Sequence, residues 1–232
     1  MRRRALAPVP APDPRAVRAA SLEELQRLWL PVPSPQFPLV WERGDGVALR
    51  SPAELEARAA VLNIVLARCY GMPQELAMSW LLNAHLLDAV TRPEWQFVMA
   101  DKGDRRALAL HHEAIFALMW LLGVAKHLDP SQPADDGLMR SLPDLPRSET
   151  MAQWRSRSLF APRPAEEAAA MLDQYYCLDW AYLEAERQRM PLPGMVDSHA
   201  VGQRRWALEW AVLLFGPYHG PPRGWEEIDL ST

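Results

Sequence analysis

Residues 49–71, LRSPAELEARAAVLNIVLARCYG, spell out a helix with both ends marked, and no other stretch limits the fold as firmly. Ser51 is placed to cap it. Pro52 suits the first helical position, where its missing N–H leaves nothing unpaired, and Glu54 falls at the third. Gly71 stands where a left-handed residue closes a helix. Similar start signals recur as capping-box spacings: Ser21 with Glu24 opens SLEELQRLWL, and Thr91 with Glu94 opens TRPEWQFVM. Helical spacing also runs through PQELAMSWLLNAHLLDAV, from HHEAIFALMW to about Lys126 or His127, through PAEEAAAMLDQYYCLDWAYLEAERQR, and through HAVGQRRWALEWAVLLFG. Alanine, leucine and arginine dominate and favour helix, while 11 glycines and few β-branched residues argue against an all-β chain. The expectation is an all-α fold: a single compact domain of six or seven helices over residues 21–232, with no strand.

Three segments lack that period. Residues 1–20 are Pro-rich and read as a disordered arm. PVPSPQFP (31–38) reads as a stiff extended connector, and residues 129–163 as a long loop or lid. The turn-rich tail has Trp225 as its expected anchor.

Charge and composition narrow the function classes. The net charge of −4 offers no general field for a nucleic-acid backbone, and the basic patches Arg2–Arg4 and QWRSRS (153–158) are short. The amino terminus is basic but runs into prolines, which makes a poor signal peptide, and the longest apolar run, residues 114–125, is too short to span a bilayer. Cys69 and Cys177 lie far apart and fit reduced, buried cysteines. The reading is a cytoplasmic protein with no membrane span and no nucleic-acid partner.

His112-Glu113 begins like the H-E-x-x-H zinc motif, but the fourth residue after His112 is Phe116 and the fourth after His111 is Ile115. Both imidazoles must leave one helix face to share a metal, so the motif fails at its second ligand. None of the six histidines has a glutamate three places before it, as a di-iron bundle requires. No nucleophile elbow, phosphate loop or dinucleotide fingerprint is present. The expectation is no metal and no cofactor, and no catalytic residue is assigned.

Four charges nonetheless point toward the core. Arg58 lies between Leu55 and Leu62; Glu113 heads the stripe Phe116/Ala117, Trp120, Val124; Asp173 precedes Tyr176, Cys177 and Trp180; Arg204 heads Leu208, Ala211, Phe215. Buried charge without a partner costs several kcal/mol or more, so these groups must be neutralised. Two readings stay open. One is an ion-pair network that fixes helix register. The other is a polar pocket of Arg58, Glu113, Asp173 and Arg204, rimmed by Trp120, Tyr176 and Trp180, in which an acid and an arginine act on a ligand.

Several segments together resemble a bacterial family of uncharacterised proteins, domain of unknown function 4272: LRSPAELEARA (49–59), TRPEW (91–95), HEAIFALMWLLG (112–123), LDQYYCLDWAYLEA (172–185), QRRWALEW (203–210) and WEEIDLST (225–232). By this resemblance Arg50, Arg58, Glu94, Glu113, Trp120, Asp173, Tyr176, Trp180, Arg204 and Trp225 hold the family's characteristic positions. The resemblance implies arginine where this chain has Cys177, histidine where it has Asp179 and glutamate where it has Gln203. In the tail, Glu226, Glu227 and Leu230 stand where the family tends toward aspartates and threonine. It implies a helical fold and no reaction.

The function expected is a non-catalytic module with a protein partner, such as an immunity or inhibitor protein for a toxin. Acidic pairs, Asp135-Asp136 and Glu166-Glu167, are available to meet a basic effector. The alternative is an enzyme or small-ligand sensor built on the buried charges. Oligomeric state is not legible.

Overall fold

The computed structural model describes residues 7–134, 136–158 and 160–231. In chain order the elements are β1 (Val9–Pro10), α1 (Pro14–Arg27), β2 (Gly46–Leu49), α2 (Pro52–Cys69), α3 (Gln74–Asn83), α4 (Arg92–Ala100), α5 (Arg105–Ala109), α6 (His111–Leu121), α7 (Asp136–Ser141), α8 (Met151–Ser158), α9 (Ala165–Arg187), α10 (Ser198–Ala211) and β3 (Val212–Phe215). Short 3-10 turns lie at Leu87–Ala89 and Trp225–Glu227. The fold is mostly helical, with a small three-stranded sheet.

That sheet corrects the all-α expectation. β2 is the central strand and pairs antiparallel with β1 (Val9 opposite Val47) and with β3 (Val47 opposite Leu214). Val212-Leu213-Leu214-Phe215 prolongs the apolar spacing of α10, so periodicity alone extends the helix. Val212 instead turns extended, at φ −86° and ψ 124°, because a partner edge at Gly46–Leu49 satisfies its backbone.

The chain divides into two compact units: residues 1–51, 129–133 and 163–232, and residues 52–128 and 134–162. In the first, α9 packs against α1, α10 and β2. Leu172, Tyr175, Leu178 and Tyr182 are its buried face. The arm expected over residues 1–20 is structured from β1 onward, and the Arg2–Arg4 cluster lies outside the described residues. Helix α1 begins seven residues before Ser21, because Asp13 accepts from the Arg15 and Ala16 amides (2.9 and 3.2 Å) and Pro14 takes the first helical position. Ser21 is therefore interior to α1 and free to use its hydroxyl elsewhere.

In the second unit α2 packs against α3, α4, α5 and α6 and is buried on most sides. Thr91 and Glu94 form the capping box of α4. Helix α6 stops at Leu121, short of Lys126, because Gly123 adopts φ +77°. A Cβ there would sit 2.1 Å from the Ala161 oxygen, so glycine is required by the close approach as well as by the dihedral. The expected loop 129–163 contains α7 and α8. Thr150 and Gln153 cap α8 reciprocally (Gln153 N–H to Thr150 Oγ1, 3.3 Å; Thr150 N–H to Gln153 Oε1, 2.9 Å), and the fully buried Trp154 donates its indole N–H to the Ser141 carbonyl at 2.7 Å.

Candidate functional site

All four inward charges are buried, at 3 % exposure for Arg58, 1 % for Glu113 and Asp173, and 0 % for Arg204. Arg58 and Glu113 belong to the second unit, Asp173 and Arg204 to the first.

In the second unit Arg58 forms an ion pair with Glu94 and also donates to the Ala89 carbonyl at 3.2 Å. Glu94 is thus shared: one carboxylate oxygen meets Arg58, while the other accepts the Thr91 amide at 2.8 Å. Burial alone would push the Glu94 carboxyl up, but the Arg58 guanidinium and the Thr91 N–H outweigh it and hold its pKa below the ordinary value. Glu113, in the first turn of α6, accepts the Ala134 amide at 3.2 Å and lies 3.0 Å from His112 Nε2. His112 Nδ1 sits 3.1 Å from the Ala109 carbonyl, and its side chain is 39 % exposed. The histidine pair thus opens α6 at its partly exposed end while Glu113 turns inward and fixes the start of the 134–162 segment. Trp120 is buried at 2 % exposure.

In the first unit Asp173 on α9 meets Arg18 on α1 in a bidentate pair, with Nη2 at 2.7 Å and Nε at 3.2 Å, and accepts the Ser21 hydroxyl at 2.7 Å. Arg18 spends its remaining donors on the Phe37 and Pro38 carbonyls (3.2 and 2.9 Å), which pins the proline-rich connector to α1. It forms part of the wall of a groove of about 370 Å³ between α1 and residues 33–39. Arg204 donates to the Asp129 and Gln132 carbonyls, both at 2.6 Å, and to the Tyr175 hydroxyl at 3.1 Å, which anchors residues 129–132. Tyr176 and Trp180 are half-buried beside Phe37, with ring centroids 4.9 and 5.8 Å from it, and guanidinium groups lie near the Tyr176 ring at 5.7 Å (Arg18) and 4.6 Å (Arg205).

Arg205 escaped the sequence reading. It is 1 % exposed and bridges Asp179 (2.7 Å) and Glu209 (3.0 Å), and it also donates to the Leu230 carbonyl at 3.1 Å. The Arg205–Glu209 spacing of four on one helix was the available signal. Burial raises the pKa of both carboxyls above the ordinary value, and the pull of the one guanidinium does not offset it. Cys177, four residues after Asp173, has its thiol pushed up to about 12 by burial first and by the Asp173 charge second. It is therefore a packing residue and not a nucleophile. Asp179, one helix turn from Tyr176, supplies Arg205 with a carboxylate.

Glu166 and Glu167 occupy the first turn of α9, and Glu167 pairs with Arg163 at 2.7 Å, so this acidic pair supports its own helix start. Asp135 lies outside the described residues. Among the described residues no group of three or more His, Cys, Asp or Glu is arranged to hold a metal ion, and no helix is long and apolar enough to cross a membrane.

No curated protein and no solved structure matches the chain. The family described as Domain of unknown function (DUF4272) matches residues 18–228, from Arg18 of the Asp173 pair to Ile228 beside the buried Trp225. That span contains every charged pair described above, and the chain belongs to that family.

Proposed function

We propose that this protein is a non-catalytic protein-binding module, an immunity or inhibitor protein that neutralises a toxin in the bacterial cytoplasm. The observation that carries the reading is the outer side of α3. Leu76 and Ser79, and after them Leu82 and Asn83 three and four residues beyond Ser79, are all exposed, with Leu76 at 55 % and Leu82 at 49 %. Beside them lies a cleft of about 100 Å³ walled by Met72, Trp80, Leu145 and Met151. Tyr70, 79 % exposed, stands just before α3. Exposed aliphatic and aromatic groups next to a shallow apolar cleft are what a partner's side chain uses as an anchor point. Exposed Glu75 and Asp88 and the chain's net charge of −4 favour a partner with a basic face.

The buried charges support the same choice. Arg58, Glu113, Asp173 and Arg204 bond to protein groups that cap helices and fasten connecting segments. An enzyme or sensor acting through them would have to break those bonds first.

The test begins with the gene beside this one. Its product, produced alone, should be toxic, and co-production of this protein should restore growth. Leu76→Asp combined with Leu82→Asp should abolish rescue and weaken the purified complex by on the order of a hundredfold, with melting unchanged. Full rescue by the double variant would overturn the α3 surface. A neighbouring product without toxicity, or with no complex, would overturn the immunity role.

A further inference from the structure

A second cavity, of about 220 Å³, lies wholly within the first unit, between β3 and the turn that follows it. Leu172, Trp210 and Ile228 give it apolar walls, and Glu209, His219 and Arg223 give it polar ones. The surrounding frame is held from several sides. Arg50 donates to the Trp210 carbonyl (2.7 Å) and to the Arg223 carbonyl (2.6 Å), and its guanidinium lies 4.5 Å from the Trp210 ring centre. One side chain therefore ties together the two ends of the segment that carries the polar wall. His219 is positioned by Asp45: Nε2 sits 2.9 Å from Oδ2, which also accepts the Glu42 amide at 2.8 Å. Asp45 reaches that place only because residue 216 is glycine, since a Cβ there would stand 2.0 Å from Oδ1.

Charge bookkeeping around the cavity leaves a cation available. Arg205 neutralises Glu209 through two bonds to the same oxygen, 3.1 and 3.0 Å. Asp45 holds His219. Arg223 makes no ion pair among the described residues, although Glu209 and Asp229 act on it electrostatically. Burial also holds the Glu209 carboxyl above its ordinary pKa, against the pull of Arg205.

We propose that this cavity binds a small organic carboxylate, its charged end on Arg223, its apolar body against Leu172, Trp210 and Ile228. A space of about 220 Å³ lies below the usual range for drug-sized ligands, so the body is no larger than a single ring or a short branched chain. A guanidinium beside an apolar floor selects for a carboxylate over the neutral amide of the same shape.

The experiment titrates the full chain, isotopically labelled, with benzoate and separately with benzamide, and follows the Trp210 indole N–H signal by NMR. Benzoate should shift it saturably and bind roughly tenfold more tightly than benzamide. Arg223→Gln should reduce benzoate to the level of benzamide with the melting temperature unchanged, because the Arg223 carbonyl that Arg50 uses is retained. Equal binding of the two probes, no saturable shift with either up to millimolar concentration, or a preference that survives Arg223→Gln would each overturn the site. The cavity and the α3 surface belong to different units, so failure here leaves the toxin reading untouched.

Discussion

Each unit buries an arginine against carboxylate, and the two arrangements come out with opposite electrostatics. Arg58 faces one carboxylate, Glu94, which also receives the backbone N–H of Thr91. Arg205 is divided between Asp179 and Glu209. Glu94 is held below its ordinary pKa, whereas Asp179 and Glu209 are both pushed above theirs. Burial opposes ionisation in every case, so what decides the direction is the number of donors per carboxylate. One guanidinium and one amide for one acid overcome desolvation; one guanidinium for two acids does not. The first arrangement stabilises the ionised pair, and the second leaves desolvation of its carboxylates uncompensated.

The largest expected effect comes from breaking the one-to-one pair. Glu94→Gln leaves Arg58 without its carboxylate in a 3 % exposed setting and should cost about 3–5 kcal/mol, read by urea denaturation. A loss below about 1 kcal/mol would mean that solvent or another acid relieves Arg58.

The pH dependence should then separate the two sites by sign. Glu94 has a depressed folded pKa, so its contribution is present above the ordinary carboxylate range and is lost as pH falls through the folded value. The advantage of wild type over Glu94→Gln must therefore shrink on acidification. Asp179 and Glu209 have raised folded values, so the native state takes up protons before the unfolded chain does, and stability rises as pH falls from those values toward the ordinary range. The stability of wild type relative to Asp179→Asn must therefore rise as pH falls over that window. Parallel urea melts across a pH series check both, and like-signed trends would refute the donor-count argument.

How much of this was legible in the sequence follows the range of the interaction. Ser51-Pro52, Thr91 with Glu94, and Gly71 were readable because a cap joins residues three or four apart. Thr150 with Gln153 carries a capping signal of the same kind, obscured by the surrounding prolines, and it starts α8 inside a stretch expected to be loop. The inward charges were readable too, since helical period says which side a residue faces. Their partners were not. Asp173 is met by Arg18, which comes from a segment expected to be disordered, and Arg204 is met by backbone carbonyls that any residues would supply. β3 was hidden for a related reason: only the edge offered by Gly46–Leu49 makes Val212–Phe215 a strand.

A smaller effect is expected at the shared arginine. Asp179→Asn keeps the shape and leaves Glu209 on Arg205, and because burial already disfavours the Asp179 charge it should change stability by no more than about 1 kcal/mol at neutral pH, less than Glu94→Gln. It should also bring the Glu209 pKa down, because the Asp179 charge is one of the causes that raise it. Carboxyl NMR of the labelled glutamate measures that shift, and a Glu209 pKa that does not move would show that burial alone sets it.

The smallest effect sharpens the first. Glu94 serves both Arg58 and the α4 cap, and Glu94→Gln removes the charge from the pair while its amide oxygen can still accept the Thr91 N–H. Thr91→Ala removes the hydroxyl half of the box while leaving Arg58–Glu94 in place, and the Thr91 hydroxyl accepts the Glu94 amide at a long 3.5 Å. The loss should therefore stay near the low end of cap values, about 0.5–1 kcal/mol. Thr91→Ala combined with Glu94→Gln should cost about the sum of the two, since the Thr91 hydroxyl accepts the backbone N–H of residue 94, which glutamine keeps. If the double variant costs clearly less than the sum, the cap and the ion pair are coupled, and part of the depressed Glu94 pKa must be credited to the helix terminus.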